Sequence, residues 1–118
     1  MTGTHLPLGD AAKLADILAQ LASTIDARAG ADPETSWTAR LLAGGAEACA
    51  KKLGEEGVEA AIAIAAQSDD AVAAESADLL YHLMVGLRSR GIPLDEVAAV
   101  LAARQGQSGV EEKLSRND

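Results

Sequence analysis

Phenylalanine is absent from these 118 residues, and Trp37 and Tyr81 are the only aromatic side chains besides the two histidines. A core must therefore be built from Ala, Leu, Val and Ile. Alanine favours helix strongly but buries little apolar area, so such helices must pack closely and would gain from a partner subunit. Cys49 is the only cysteine, which excludes an intrachain disulfide and leaves it as a small buried hydrophobe. No apolar run is long enough to span a bilayer, and residues 1–10 lack the basic-then-apolar order of a signal peptide. A cytoplasmic setting with no membrane partner is expected. Basic residues are scarce too: 10 Lys and Arg stand against 18 Asp and Glu, a net charge of -8. That balance argues against nucleic acid as a partner, but not against an anionic substrate bridged by a metal ion.

Strand-like alternation and internal repeats are also missing. What is present is helical periodicity, and at this length it predicts one domain over residues 1–118, an all-α bundle of about four helices. Asp10 is a candidate N-cap, followed by Leu14, Ile17, Leu18, Leu21 and Ile25 at helical spacing. This helix is expected to end around residues 28–30, before a loop containing Pro33. A second helix is expected over about 38–67, bent near Gly44 and Gly45. Ser68, Asp69 and Asp70 should break it and cap a third, reaching Arg90, with Gly91 and Pro93 as the stop. A short fourth helix over about 94–104 presents Val97, Val100 and Leu101 for packing. The ends, about 1–9 and 106–118, are expected to be mobile.

The carboxylates are arranged less innocently than net charge implies. Glu56 and Glu59 are three apart, Glu55 and Glu59 four apart, and downstream Glu75 and Asp78 are again three apart. Residues at those spacings share a helix face. Glu59 precedes Ser68 by nine positions and Asp78 follows it by ten, so an antiparallel pairing about that turn predicts four convergent carboxylates. Without a cation they would raise one another's pKa, whereas a hard divalent ion such as Mg²⁺ removes the cost and favours phosphoanhydride hydrolysis. A solvated acidic face is the competing explanation. Against it, Lys before Glu by four is the weaker helix-supporting order, Glu55 and Glu59 repel, and Gly54 and Gly57 sit inside the helix.

The sequence around these acids is similar to a known family. Glu55-Glu-x-x-Glu59 with Glu75-x-x-Asp78 resembles the metal signature of the all-α nucleoside triphosphate pyrophosphohydrolases. Ser36-Trp-Thr-Ala-Arg-Leu41, Lys52-Leu-Gly-Glu-Glu-Gly-Val-Glu59, Glu75-Ser-Ala-Asp-Leu-Leu-Tyr-His82, Arg90-Gly-Ile-Pro-Leu-Asp95 and Ser108-Gly-Val-Glu-Glu-Lys113 narrow the resemblance to phosphoribosyl-ATP pyrophosphohydrolase. Trp37 stands where Tyr is commoner, and Gly57 where Ala is; neither departure touches a carboxylate.

That resemblance implies Mg²⁺-dependent conversion of phosphoribosyl-ATP and water to phosphoribosyl-AMP and pyrophosphate, the second step of histidine biosynthesis, in a homodimer or higher homo-oligomer. It makes Glu56, Glu59, Glu75 and Asp78 the expected metal ligands, with Glu55 a further ligand or the group that orients water. Glu55 and Glu56 are thus the candidate catalytic residues, and Arg40, Lys52 and His82 the candidate substrate contacts. Trp37 and Tyr81 read as packing residues, His5 has no role, and Lys113 and Arg116 read as a charged terminus. Two alternatives accompany this: a housecleaning nucleoside triphosphate pyrophosphohydrolase of the same superfamily, and a non-enzymatic acidic helical interaction module.

Overall fold

Asp10 starts the first helix as its spacing predicts, its carboxylate accepting from the amides of Ala12 (2.9 Å) and Lys13 (3.3 Å). The structure is a computed structural model that describes residues 8–105; the expectations for residues 1–7 and for 106–118, including His5, the Ser108–Lys113 segment and Arg116, lie outside the described residues. The helix, α1, runs Ala11–Arg28. A loop follows in which Asp32 accepts from the Glu34 amide, and Ser36 then caps α2 (Trp37–Ala43) through the Ala39 amide. α3 spans Gly45–Ala66, α4 Asp69–Ser89 and α5 Leu94–Arg104. All regular structure among the described residues is helical, and no helix there is long and apolar enough to cross a membrane.

The helix expected over 38–67 is two helices, which makes five in all among the described residues. A β-carbon added at Gly44 would lie 2.6 Å from Ala48 Cβ, and Gly45 adopts φ +78, the left-handed region open to glycine. Close approach and reversed dihedral together turn the expected bend into a break. The Cys49 thiol, buried as expected, spans that break by donating to the Leu41 carbonyl at 3.4 Å.

α3 and α4 form the principal pair, an antiparallel hairpin closed by Gln67 and by Ser68, whose hydroxyl caps α4 through the Ala71 amide. Ala60 and Ala63 are buried, so small side chains face the hairpin seam where they let the helices approach. At its other end α4 stops at Gly91 (φ +67), the Ile92 amide reaching back to the Leu87 carbonyl at 3.0 Å. The core gathers Ile25, Leu41, Cys49, Met84 and Val85, flanked by Leu18, Leu21, Leu42 and Tyr81.

Two predicted packing faces are only partly used. Leu18, Leu21 and Ile25 of α1 reach the core, whereas Leu14 and Ile17 stay about half exposed. α5 buries no residue, and Val100 and Leu101 face outward with Val58 and Ile62 of α3 similarly uncovered. Helical period marks an apolar face; whether anything covers it is a tertiary matter. Close approach was also the expectation at the α3 glycines. Nothing lies within 4 Å of a β-carbon built at Gly54, and at Gly57 only Leu79 Cδ1 reaches 4.0 Å.

Candidate metal centre

The hairpin brings one carboxylate oxygen each from Glu56, Glu75 and Asp78 within 4.8 Å of one another. The three are graded in burial: Glu56 is buried, Glu75 intermediate and Asp78 exposed, so the group runs from a dry floor to an open mouth. Glu56 Oε2 and Glu75 Oε2 are both buried without a hydrogen-bond partner. An ionised carboxylate oxygen left that way is costly, and two in carboxylates of one group compound the cost. A donor set made only of carboxylate oxygens suits a hard divalent cation rather than zinc or copper. The residues present therefore fit Mg²⁺ on two grounds: the chemistry of the donors and the two oxygens that lack partners.

Glu59, the fourth expected ligand, lies outside this tight trio but inside its field. Its pKa is raised above the ordinary glutamate value, first by a hydrogen bond shared with Glu56, then by the charges of Glu56 and Glu75. A raised carboxyl pKa means that the folded state holds this proton more tightly than the unfolded state does. The stability so contributed is fully present below the ordinary glutamate range and is lost as pH rises through the folded-state value. In chelator, the thermal midpoint of the native protein is therefore expected to fall relative to Glu59→Gln as pH climbs through and just above that range. Parallel midpoint-versus-pH curves for the two proteins would contradict it.

Glu55 sits half exposed on the same turn, 3.7 Å from Lys52 Nζ. Lys52 also pairs with Glu56 Oε1 at 3.3 Å, despite the less favourable order of the two residues on the helix. Its pKa is raised, chiefly by the hydrogen bond with Glu56, so the ammonium is fully charged at neutral pH. The Lys52 Nζ stands 5.9 Å from the centre of the Trp37 ring.

Trp37 is half exposed rather than packed in the core, and this role was not read from the sequence. The one available signal was its place at the start of α2, next to an N-cap. Its indole N–H donates to His82 Nε2 at 3.4 Å, while His82 Nδ1 lies 2.8 Å from the Asp78 carbonyl. Indole only donates and a carbonyl only accepts, so these partners fix His82 as the neutral tautomer with its proton on Nδ1. Buried and engaged at both nitrogens, His82 ties α4 to α2 and presents no free N–H outward. A hydrogen bond between the Thr38 and Tyr81 hydroxyls reinforces the same junction, and Tyr81 packs on the core as expected. Arg40, the other candidate substrate contact, is exposed and donates through Nε to the Pro33 carbonyl at 3.1 Å.

Comparison with known proteins covers the span that contains this site. The family model described as phosphoribosyl-ATP pyrophosphohydrolase matches residues 18–105, which include every carboxylate above. A phosphoribosyl-ATP pyrophosphatase of Caulobacter vibrioides is 57% identical over 104 residues, covering 88% of this chain and 96% of the relative. Proteins of the same name from Cereibacter sphaeroides and Ruegeria pomeroyi are each 54% identical over 100 residues, 85% of this chain, covering 97% and 95% of the relatives respectively. With its helical bundle, a carboxylate group in the α3–α4 hairpin and these similarities along most of its length, the chain belongs to the phosphoribosyl-ATP pyrophosphohydrolase family.

Proposed function

We propose that this protein hydrolyses the α–β phosphoanhydride of phosphoribosyl-ATP, giving phosphoribosyl-AMP and pyrophosphate, the second step of histidine biosynthesis. The observation that carries the reading is the convergence of Glu56, Glu75 and Asp78 in a chain 57% identical to a named phosphoribosyl-ATP pyrophosphatase. Glu56, Glu75 and Asp78 would hold Mg²⁺, and Glu59 joins them as the fourth ligand. Bound there, the ion neutralises phosphate charge and acidifies water. The chain's own contribution is placement: Glu56 and Glu75 supply a dry, preformed acidic floor, and Asp78 stands at the open side where a polyphosphate arrives. Glu55, half exposed and one position before Glu56, is the group assigned to orient the attacking water. Arg40 and Lys52 are the basic side chains assigned to the substrate side, since a protein of charge -8 needs local positive groups to receive a polyanion.

Homodimerisation in a cytoplasmic setting completes the reading. It is supported by the half-exposed Leu14, Ile17, Val58 and Ile62, a set of aliphatic side chains that a second copy would cover.

The reading that competes is general nucleoside triphosphate cleavage. Turnover of phosphoribosyl-ATP, ATP, dCTP and dUTP should be compared under one set of conditions. Phosphoribosyl-ATP is expected to be preferred by kcat/KM over the others by at least about a hundredfold, well within the discrimination that a hydrogen-bonding site can reach. Equal turnover of dCTP or dUTP would favour the housecleaning role.

A further inference from the structure

The two oxygens of Glu56 lie in different surroundings. Oε1 is held by the Lys52 ammonium at 3.3 Å, whereas Oε2 is buried with no partner. Lys52 is itself restrained: Glu55 Oε1 lies 3.7 Å away, and the Trp37 ring lies 5.9 Å from its nitrogen. Trp37 is in turn fixed by its bond to His82, which is anchored on the Asp78 carbonyl. A chain of contacts thus runs from α4 through α2 to the ammonium, and it ends on one oxygen of the most buried carboxylate in the group.

From this division we infer, resting on the metal reading above, that Lys52 is a positioning residue that makes Glu56 a one-oxygen ligand and thereby sets which divalent cation the centre prefers. A carboxylate that grips a cation with both oxygens must surrender Oε1, and so displace the ammonium from it. Two-oxygen binding is a mode that Ca²⁺ uses readily, with six to eight ligands in flexible geometry. Mg²⁺ is smaller, requires near-ideal octahedral placement and takes carboxylates through single oxygens. Holding Oε1 therefore handicaps Ca²⁺ while leaving the Mg²⁺ mode at Oε2 untouched. The charge of Lys52 acts separately, weakening every divalent cation to a similar degree. Selectivity, not affinity alone, is what reports the clamp.

The test measures thermal midpoint against MgCl₂ and CaCl₂ concentration for the native protein, Lys52→Met and Lys52→Arg, because a ligand that binds the folded state raises the midpoint in proportion to its saturation. Met keeps the unbranched stem and the helix preference at a position one-third exposed, and circular dichroism checks that the variant folds. In Lys52→Met the ratio of Ca²⁺ to Mg²⁺ dissociation constants is expected to fall roughly tenfold, the scale on which partners of metal ligands act. Lys52→Arg, which retains the charge and a donor for Oε1, should keep the native ratio. If Lys52→Met tightens both ions by the same factor, or changes neither, the clamp is overturned while the metal centre stands. If neither ion moves the native midpoint, the metal reading fails and takes this inference with it.

Discussion

Glu56→Gln is expected to lower turnover of phosphoribosyl-ATP by at least about a hundredfold, with the helical circular dichroism unchanged. A Lewis-acid ion supplies several kcal/mol of transition-state charge stabilisation, and each 1.36 kcal/mol is tenfold in rate, so weakening its buried ligand forfeits two or more powers of ten. The fold should tolerate the change. Glu56 Oε2 has no hydrogen-bond partner in the protein, and Lys52, one-third exposed, can be solvated when the negative charge of Glu56 is lost. The metal-free midpoint of Glu56→Gln is accordingly expected to equal or exceed that of the native protein, since one buried charge disappears from a repulsive cluster. Asp78→Asn should behave likewise for turnover. Full activity in either variant would remove that residue from the metal centre, and a collapse of helicity would recast Glu56 as structural.

Ile25→Ala is expected to produce the largest loss of stability. Ile25 is 2% exposed, in a core whose other buried members are Leu41, Cys49, Met84 and Val85. Truncations of this kind cost about 2–5 kcal/mol, against a total of about 5–15 kcal/mol for a domain. A fall of about 10 °C or more in thermal midpoint is expected at several degrees per kcal/mol. Leu14→Ala, on the same helix but half exposed, serves as the contrast and should shift the midpoint by no more than a few degrees. Equal losses for the two would mean that α1 packs differently, or that a partner subunit covers Leu14.

These two predictions draw on different depths of the sequence. The start of α1 at Asp10 and the α4 cap at Ser68 were legible because capping is chemistry between residues two or three apart. The pairing of Glu56 with Asp78 was legible because helical period and one short turn suffice to fix which residues oppose across a hairpin. What depended on helix rotation and crossing was not. Glu59 shares a face with Glu56 in sequence, but which of the α3 carboxylates stand nearest Glu75 and Asp78 depends on that rotation, and the trio within 4.8 Å is Glu56, Glu75 and Asp78. The break at Gly44 and Gly45 was visible only as a bend, since two glycines permit either and the left-handed φ of Gly45 decides. Trp37 was read as a packing residue, since what an aromatic side chain faces is settled only by tertiary contacts. Its half-exposed seat beside Lys52 comes from Ser36 starting α2 where it does and from His82 offering an acceptor across the interface.

Lys52 shows the same limit from the other side. Its spacing to Glu56 was plain, but spacing cannot say that one oxygen of Glu56 is paired and the other is not. That asymmetry exists only once α4 has closed over α3 and the second oxygen has been removed from water.

If this acidic hairpin cleaves phosphoribosyl-ATP with the help of a divalent cation, product formation must depend on the ion. The decisive assay is pyrophosphate release from phosphoribosyl-ATP by the purified protein, measured with Mg²⁺ and again in excess chelator. Release is expected with Mg²⁺, to be lost in chelator and restored when the ion is returned. Release that is equal under both conditions would contradict the metal centre, and no release under either would contradict the assigned reaction.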